Sequence, residues 1–145
     1  MLGRADDAIG FLKDAFRVAL EVGNDAEAAQ AVGSLAQVHL RTGDPILAEE
    51  QARHALTLLE GREDYLVEIG MSQLVVGRAL AEQDQLDEAE EWCRSADATF
   101  EQFSSISHRA MVWVAQGDLA ARRGEDHDAA LLYRRAAEAL QDVRF

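Results

Sequence analysis

Gly43-Asp44-Pro45-Ile46-Leu47-Ala48-Glu49-Glu50-Gln51-Ala52-Arg53-His54-Ala55-Leu56-Thr57-Leu58-Leu59 contains a helix with its start, its buried face and the turn that precedes it. Gly43 suits the left-handed residue that ends a helix, Asp44 suits an N-cap, and Pro45 suits the first turn, where a missing N–H costs nothing. Ala48, Ala52, Ala55, Leu56 and Leu59 then fall at i, i+4, i+7, i+8 and i+11, one apolar stripe of small and medium side chains. The same pattern recurs along the chain. Ala8, Ala48, Ala89 and Ala129 are spaced by 40, 41 and 40 residues, and Ala15, Ala55, Ala96 and Ala136 keep those intervals. Gly3, Gly43, Asp84 and Gly124 precede each pair, and another small residue recurs upstream as Ala36, Gly77 and Gly117.

Each unit therefore reads as two helices. The spacing predicts helices over 5–22, 25–42, 45–60, 63–83, 86–102, 105–123 and 126–142, one leading helix followed by three pairs. Helices approach closely only where side chains are small, so Ala36 is expected to face Ala48 and Ala55, and Gly77 to face Ala89 and Ala96. Gly77 and Gly117 each cost about 1 kcal/mol inside a helix, which close packing would offset. Leu35, Val76, Leu80, Trp92, Phe100, Trp113 and Tyr133 are expected to fill the layers between pairs.

Composition agrees. Ala, Leu, Glu, Arg and Lys make up about half of the 145 residues, and no stretch alternates long enough for a sheet. A net charge of −13 argues against binding phosphate backbones or an anionic membrane surface. No apolar run approaches membrane-spanning length, the start lacks a secretory signal, and a lone Cys93 fits a reducing compartment, so a cytoplasmic location is expected.

These residues resemble the tetratricopeptide repeat (TPR) family. The last unit carries Trp113, Gln116, Gly117, Ala129 and Tyr133 at the family's spacing. The middle unit keeps Val76, Gly77 and Ala89, with Cys93 where an aromatic is usual. The first keeps Leu35, Ala36 and Ala48, with Ala52 in the aromatic's place. Two features depart from the family: no unit has its proline after the second helix, and the period exceeds the usual length of about 34. HEAT-type repeats share the longer period and are the rival fold. The resemblance implies an all-α, right-handed solenoid of seven helices with units of about 40 residues. It would form one domain over 1–145, with an incomplete repeat at 1–23 and repeats at 24–61, 62–103 and 104–145. The Ala/Arg-rich units, and the ending Leu131-Leu132-Tyr133-Arg134-Arg135-Ala136-Ala137-Glu138-Ala139-Leu140, also resemble the sensor regions of actinobacterial helix-turn-helix transcriptional regulators. In those regulators the repeats bind a peptide or partner, or dimerise, while a separate domain binds DNA.

The chemistry-bearing residues read modestly. Cys93 lies on the packing stripe between Ala89 and Ala96, and a small core residue there is favoured over a nucleophile. His39, His54, His108 and His127 fall on different units with no metal-ligand spacing, and His39 faces the packing side. Asp126-His127-Asp128 opens a helix, where acids favour the dipole. With no phosphate loop or nucleophile elbow, the expectation is a non-catalytic binding module without metal or cofactor. An enzyme using Cys93 or a histidine is the opposing class, and a free-standing adaptor the alternative within the same class.

The family's geometry would place the first helices of the pairs along a concave face. That face would present Gln30, Ser34, Gln37 and Arg41, then Met71, Leu74, Arg78 and Glu82, then Met111, Val114, Asp118 and Arg122. Met71, Leu74, Met111 and Val114 would form an apolar floor, and Arg41, Arg78 and Arg122 would orient an acidic or amphipathic peptide. The opposing reading pairs Arg78 with Asp118, and Glu82 with Arg41 or Arg122, as plain salt bridges. The family's carboxylate clamp of Lys and Asn has no counterpart here. Ile9, Leu12 and Phe16 would be left exposed on the first helix, so a homodimer through one end of the array is expected.

Overall fold

The computed structural model describes residues 2–142. Among them are seven α-helices and no strand: α1 (Leu2–Glu21), α2 (Asp25–Arg41), α3 (Pro45–Leu58), α4 (Leu66–Glu82), α5 (Leu86–Glu101), α6 (Ile106–Arg122) and α7 (Asp126–Gln141). The Asp44 side chain accepts from the Leu47 N–H with Pro45 in the first turn of α3, and Asn24 caps α2 through the Glu27 N–H. Gly43, Asp84 and Gly124 all take a left-handed backbone, with φ of +88°, +62° and +78°. In each turn the next residue's N–H reaches back to the fifth carbonyl before it, as Asp44 does to His39 and Glu125 to Ala120. The turns between units do the same at Gly23 and Ser104, whereas at the left-handed Gly61 the Arg62 N–H reaches back only to the Leu59 carbonyl; Ser104 is a left-handed non-glycine that the repeat pattern did not reveal.

Gly43 permits a clean measurement, because nothing lies within 4 Å of where its Cβ would stand. Gly43→Ala is expected to cost about 1 kcal/mol from backbone strain alone, while Ser104→Gly gains about 0.5–1 kcal/mol. Urea midpoints that moved in the same direction for both variants would contradict this assignment.

One helix boundary departs from expectation. Residues 63–83 do not form a continuous helix: Glu63–Tyr65 make a single 3-10 turn, and Tyr65 has φ −118° and ψ 40° before α4 begins. The break lets Tyr65 pack against the cluster of Ala29, Val32, Ala55 and Leu59 between α2 and α3. Tertiary burial outweighs helix continuation there.

Consecutive helices pack on one another, and α4 also packs on α2 and α6, whereas the backbones of α3, α5 and α7 do not approach each other closely. Helix α4 is therefore the centre, and its Leu74, Val75, Val76 and Leu80 join Phe100, Cys93 and Val112 in the main core. The small-residue contacts follow a stricter register than expected. A Cβ on Gly77 would stand 3.2 Å from the Ala89 carbonyl and 3.1 Å from Cys93 Sγ, so Gly77 does meet Ala89. Ala55 Cβ stands 3.9 Å from where a Cβ on Gly33 would be, while Ala36 shares the main core with Ala48 and Ala52. Two residues seven apart lie about 10 Å apart along a helix, so they cannot both contact one residue of an antiparallel neighbour. Phe100 covers Gly70 in the same way, a glycine the repeat pattern did not single out.

Among the expected layer-filling residues, Phe100, Leu35, Val76, Leu80 and Trp113 are buried, Trp92 is half-buried, and Tyr133 is exposed. Tyr133 lies across Gly117 at the edge, its hydroxyl donating to Asp118. On α1, Ile9, Leu12 and Phe16 are not the bare face. They are half-buried, and Phe16 meets the His54 ring edge-on at 5.3 Å. The exposed large apolar residues are Phe11, Val18 and Leu20 of α1 and Val22 just after it, because α1 turns its other stripe into the α2–α3 cluster.

Candidate binding grooves

The twelve residues expected on one face are distributed over two grooves, with some outside both. Between α2 and α4, a groove of about 330 Å³ gathers Gln30, Ser34, Gln37 and Met71 together with Gly33, Val67, Glu68 and Ser72. Between α4 and α6, a cleft of about 60 Å³ is lined by Arg78, Glu82, Asp118 and Arg122, with Cys93 beneath. Arg41, Met111 and Val114 line neither groove. Leu74 is corrected outright: it is 2% exposed and belongs to the core, because it lies on the side of α4 that faces the neighbouring helices.

The difference between the grooves has a volumetric cause. Adding one period to Gly33, Ser34 and Ser72 gives Leu74, Val75 and Val112. Large buried side chains close the α4–α6 contact where small ones leave the α2–α4 contact open. Aligning the units residue by residue would have flagged Gly33 and Ser72, which the sequence reading left out.

The arginines are largely engaged. Arg78 Nη1 lies 4.0 Å from Asp118, the packing alternative named above, and Asp118 also accepts from Tyr133. That bond, with some burial and the carboxylate's charge, raises the Tyr133 pKa. Arg122 lies 3.9 Å from Asp84 instead of pairing with Glu82. Other charged and polar contacts join neighbouring helices. Arg109 donates to both oxygens of Asp97, and Arg123 to Asp87 and Glu90. The bonds to Asp97 and to Asp87 chiefly raise the pKa of the Arg109 and Arg123 guanidiniums. His39 Nδ1 lies 2.7 Å from Gln51 Oε1, and the buried Thr99 hydroxyl donates to Gln73. The α2–α4 groove itself carries one carboxylate, Glu68, and no basic group. Among the described residues, no three His, Cys, Asp or Glu side chains stand close enough to hold a metal ion, and no helix is long and apolar enough to cross a membrane.

Cys93 is 1% exposed, and burial pushes its thiol up to about 11, with Arg78 lowering and Glu90 raising it by smaller amounts. A group with its folded pKa above the unfolded value of 9.0 keeps its stabilising contribution below pH 9 and loses it as pH rises toward 11. Stability is therefore expected to fall by about 2–3 kcal/mol across that window. Cys93→Ala should flatten the fall, although the raised Tyr133 pKa acts in the same direction. An unchanged pH profile in Cys93→Ala would show that the thiol is not the source. Folded-state alkylation at pH 8 should likewise be slow, since little thiolate forms.

No family model matches the chain, and neither does any curated protein.

Proposed function

We propose that the chain is a non-catalytic helical-repeat module of the tetratricopeptide type that binds an extended stretch of polypeptide along the α2–α4 groove. In this reading the repeat units at 24–61, 62–103 and 104–145, of which 143–145 lie outside the described residues, stack with a partial unit before them as a right-handed solenoid. The observation that carries it is the convergence of Gln30, Gln37, Ser34 and Ser72 around Met71 and Val67. An amide side chain offers a donor and an acceptor together, which matches the alternating groups of a peptide backbone. Hydroxyls add adaptable partners, and Met and Val present a deformable apolar floor. With Arg78 held by Asp118 and Glu68 the groove's one charge, recognition runs through the peptide backbone more than through an acidic ligand. The module serves as the sensor or dimerisation region of a cytoplasmic bacterial transcriptional regulator, the role implied by the resemblance of its Ala/Arg-rich units. Its contact between copies uses the exposed Phe11, Val18 and Leu20 of α1 and the adjoining Val22.

The test is selection of random twelve-residue peptides on the immobilised chain, followed by calorimetry. Ser34→Arg, at an exposed position on the groove wall, is expected to weaken the selected peptides roughly tenfold or more while leaving helicity and melting unchanged. Selected peptides that bind this variant equally well would place recognition elsewhere. Sedimentation at high concentration tests the copy contact, which a monomer would exclude.

A further inference from the structure

The repeat places the same polar frame twice on the side of the second helices, with a different residue at its centre. In the first instance, Arg53 donates to Glu49 at 2.8 Å, Gln83 donates to Glu49 at 3.0 Å, and the Arg53 guanidinium lies 5.1 Å above the Trp92 ring. Advancing each residue by one period gives Glu90, Arg94, Arg123 and Leu132. The frame is rebuilt there: Arg94 lies 3.2 Å from Glu90, and Arg123 donates to Glu90 at 3.5 Å and Asp87 at 2.9 Å. Leu132, however, takes the place of the indole. The result is a cavity of about 410 Å³ between α5, α6 and α7, within the size range of pockets that hold small ligands, about 300–1,000 Å³.

We infer that this cavity receives a tryptophan side chain from a partner polypeptide, held in trans as Trp92 is held within the chain. Leu119, Ala120 and Leu132 provide the apolar floor, and Arg123, in the cavity wall, supplies the cation over the ring face. Gln116 lines the cavity where the preceding unit has Val76, and its amide oxygen can accept from the indole N–H. Glu125 and Asp128 are exposed on the rim, so a basic residue beside the tryptophan fits better than an acidic one. This site is separate from the α2–α4 groove and stands or falls without it.

The experiment titrates acetyl-Lys-Trp-Lys-amide into the full ¹⁵N-labelled chain, with acetyl-Lys-Leu-Lys-amide as control. Amide shifts are expected at Gln116, Leu119, Ala120 and Leu132, with the leucine peptide roughly tenfold weaker or worse. Leu132→Trp fills the cavity from within and should abolish those shifts while raising the melting temperature. Arg123→Ala, at the exposed C-cap of α6, should weaken binding by about two- to fivefold without changing helicity. The proposal is overturned by absent shifts, by shifts clustered elsewhere, by equal binding of the leucine peptide, or by normal binding to either variant.

Discussion

Phe100→Ala is expected to cost about 3–5 kcal/mol, since this is the largest fully buried side chain among the described residues. The ring is fully buried where α4, α5 and α6 meet, lying 4.9 Å from the His108 ring and 6.0 Å from that of Phe103. Its removal leaves a void that Gly70, with no side chain, cannot fill. The reciprocal change is also costly. A Cβ on Gly70 would stand 2.3 Å from Phe100 Cε1 and 2.7 Å from Cζ, and a buried ring has nowhere to move. Gly70→Ala should therefore lose at least about 1–3 kcal/mol, although alanine is the better helix former. Gly117 makes the contrast: its Cβ would meet the Tyr133 ring at 2.6 Å, but that ring is exposed and can swing aside. The double variant Gly70→Ala/Phe100→Leu should lose less than the sum of its singles, with a coupling of about 0.5–3 kcal/mol. Additive urea midpoints would mean that the two residues do not share this contact.

The second large effect comes from overfilling the alanine stripe. Ala55 and Ala96 are 1% and 0% exposed, each on the second helix of a pair against its antiparallel partner. Leucine at either position should destabilise by about 1–3 kcal/mol, because the backbones are too close for three more carbons. Ala98, exposed on the same helix as Ala96, is the control, and leucine there should be nearly neutral. Glu90 would serve less well, since it bonds Arg123 and Arg94. Equal losses at Ala96 and Ala98 would overturn the register of the stripe.

Much of this architecture was legible in the residues. The alanine spacing of 40, 41 and 40 located the helix pairs, and Gly43, Asp84 and Gly124 marked turns that adopt the left-handed backbone. Cys93 and His39 read as packing residues and are buried as such. The candidate site was legible only in part. Gln30, Ser34, Gln37 and Met71 do meet in one groove, but Leu74 is core and Arg78 is paired.

By itself the sequence determined where most of the helices start, stop and turn, and which stripe of the second helices α3 and α5 is buried. Those outcomes rest on caps, backbone preferences and side-chain periodicity acting within about four residues. Only the tertiary structure decided where space remains between helices. The opening over Ser72 depends on Gly33 and Ser34, some forty residues earlier, and its closure one unit later depends on Leu74, Val75 and Val112 meeting across helices. The cavity beside Leu132 depends likewise on α5, α6 and α7 together. Such volumes are set by pairs of side chains from separate helices, so no local pattern encodes them.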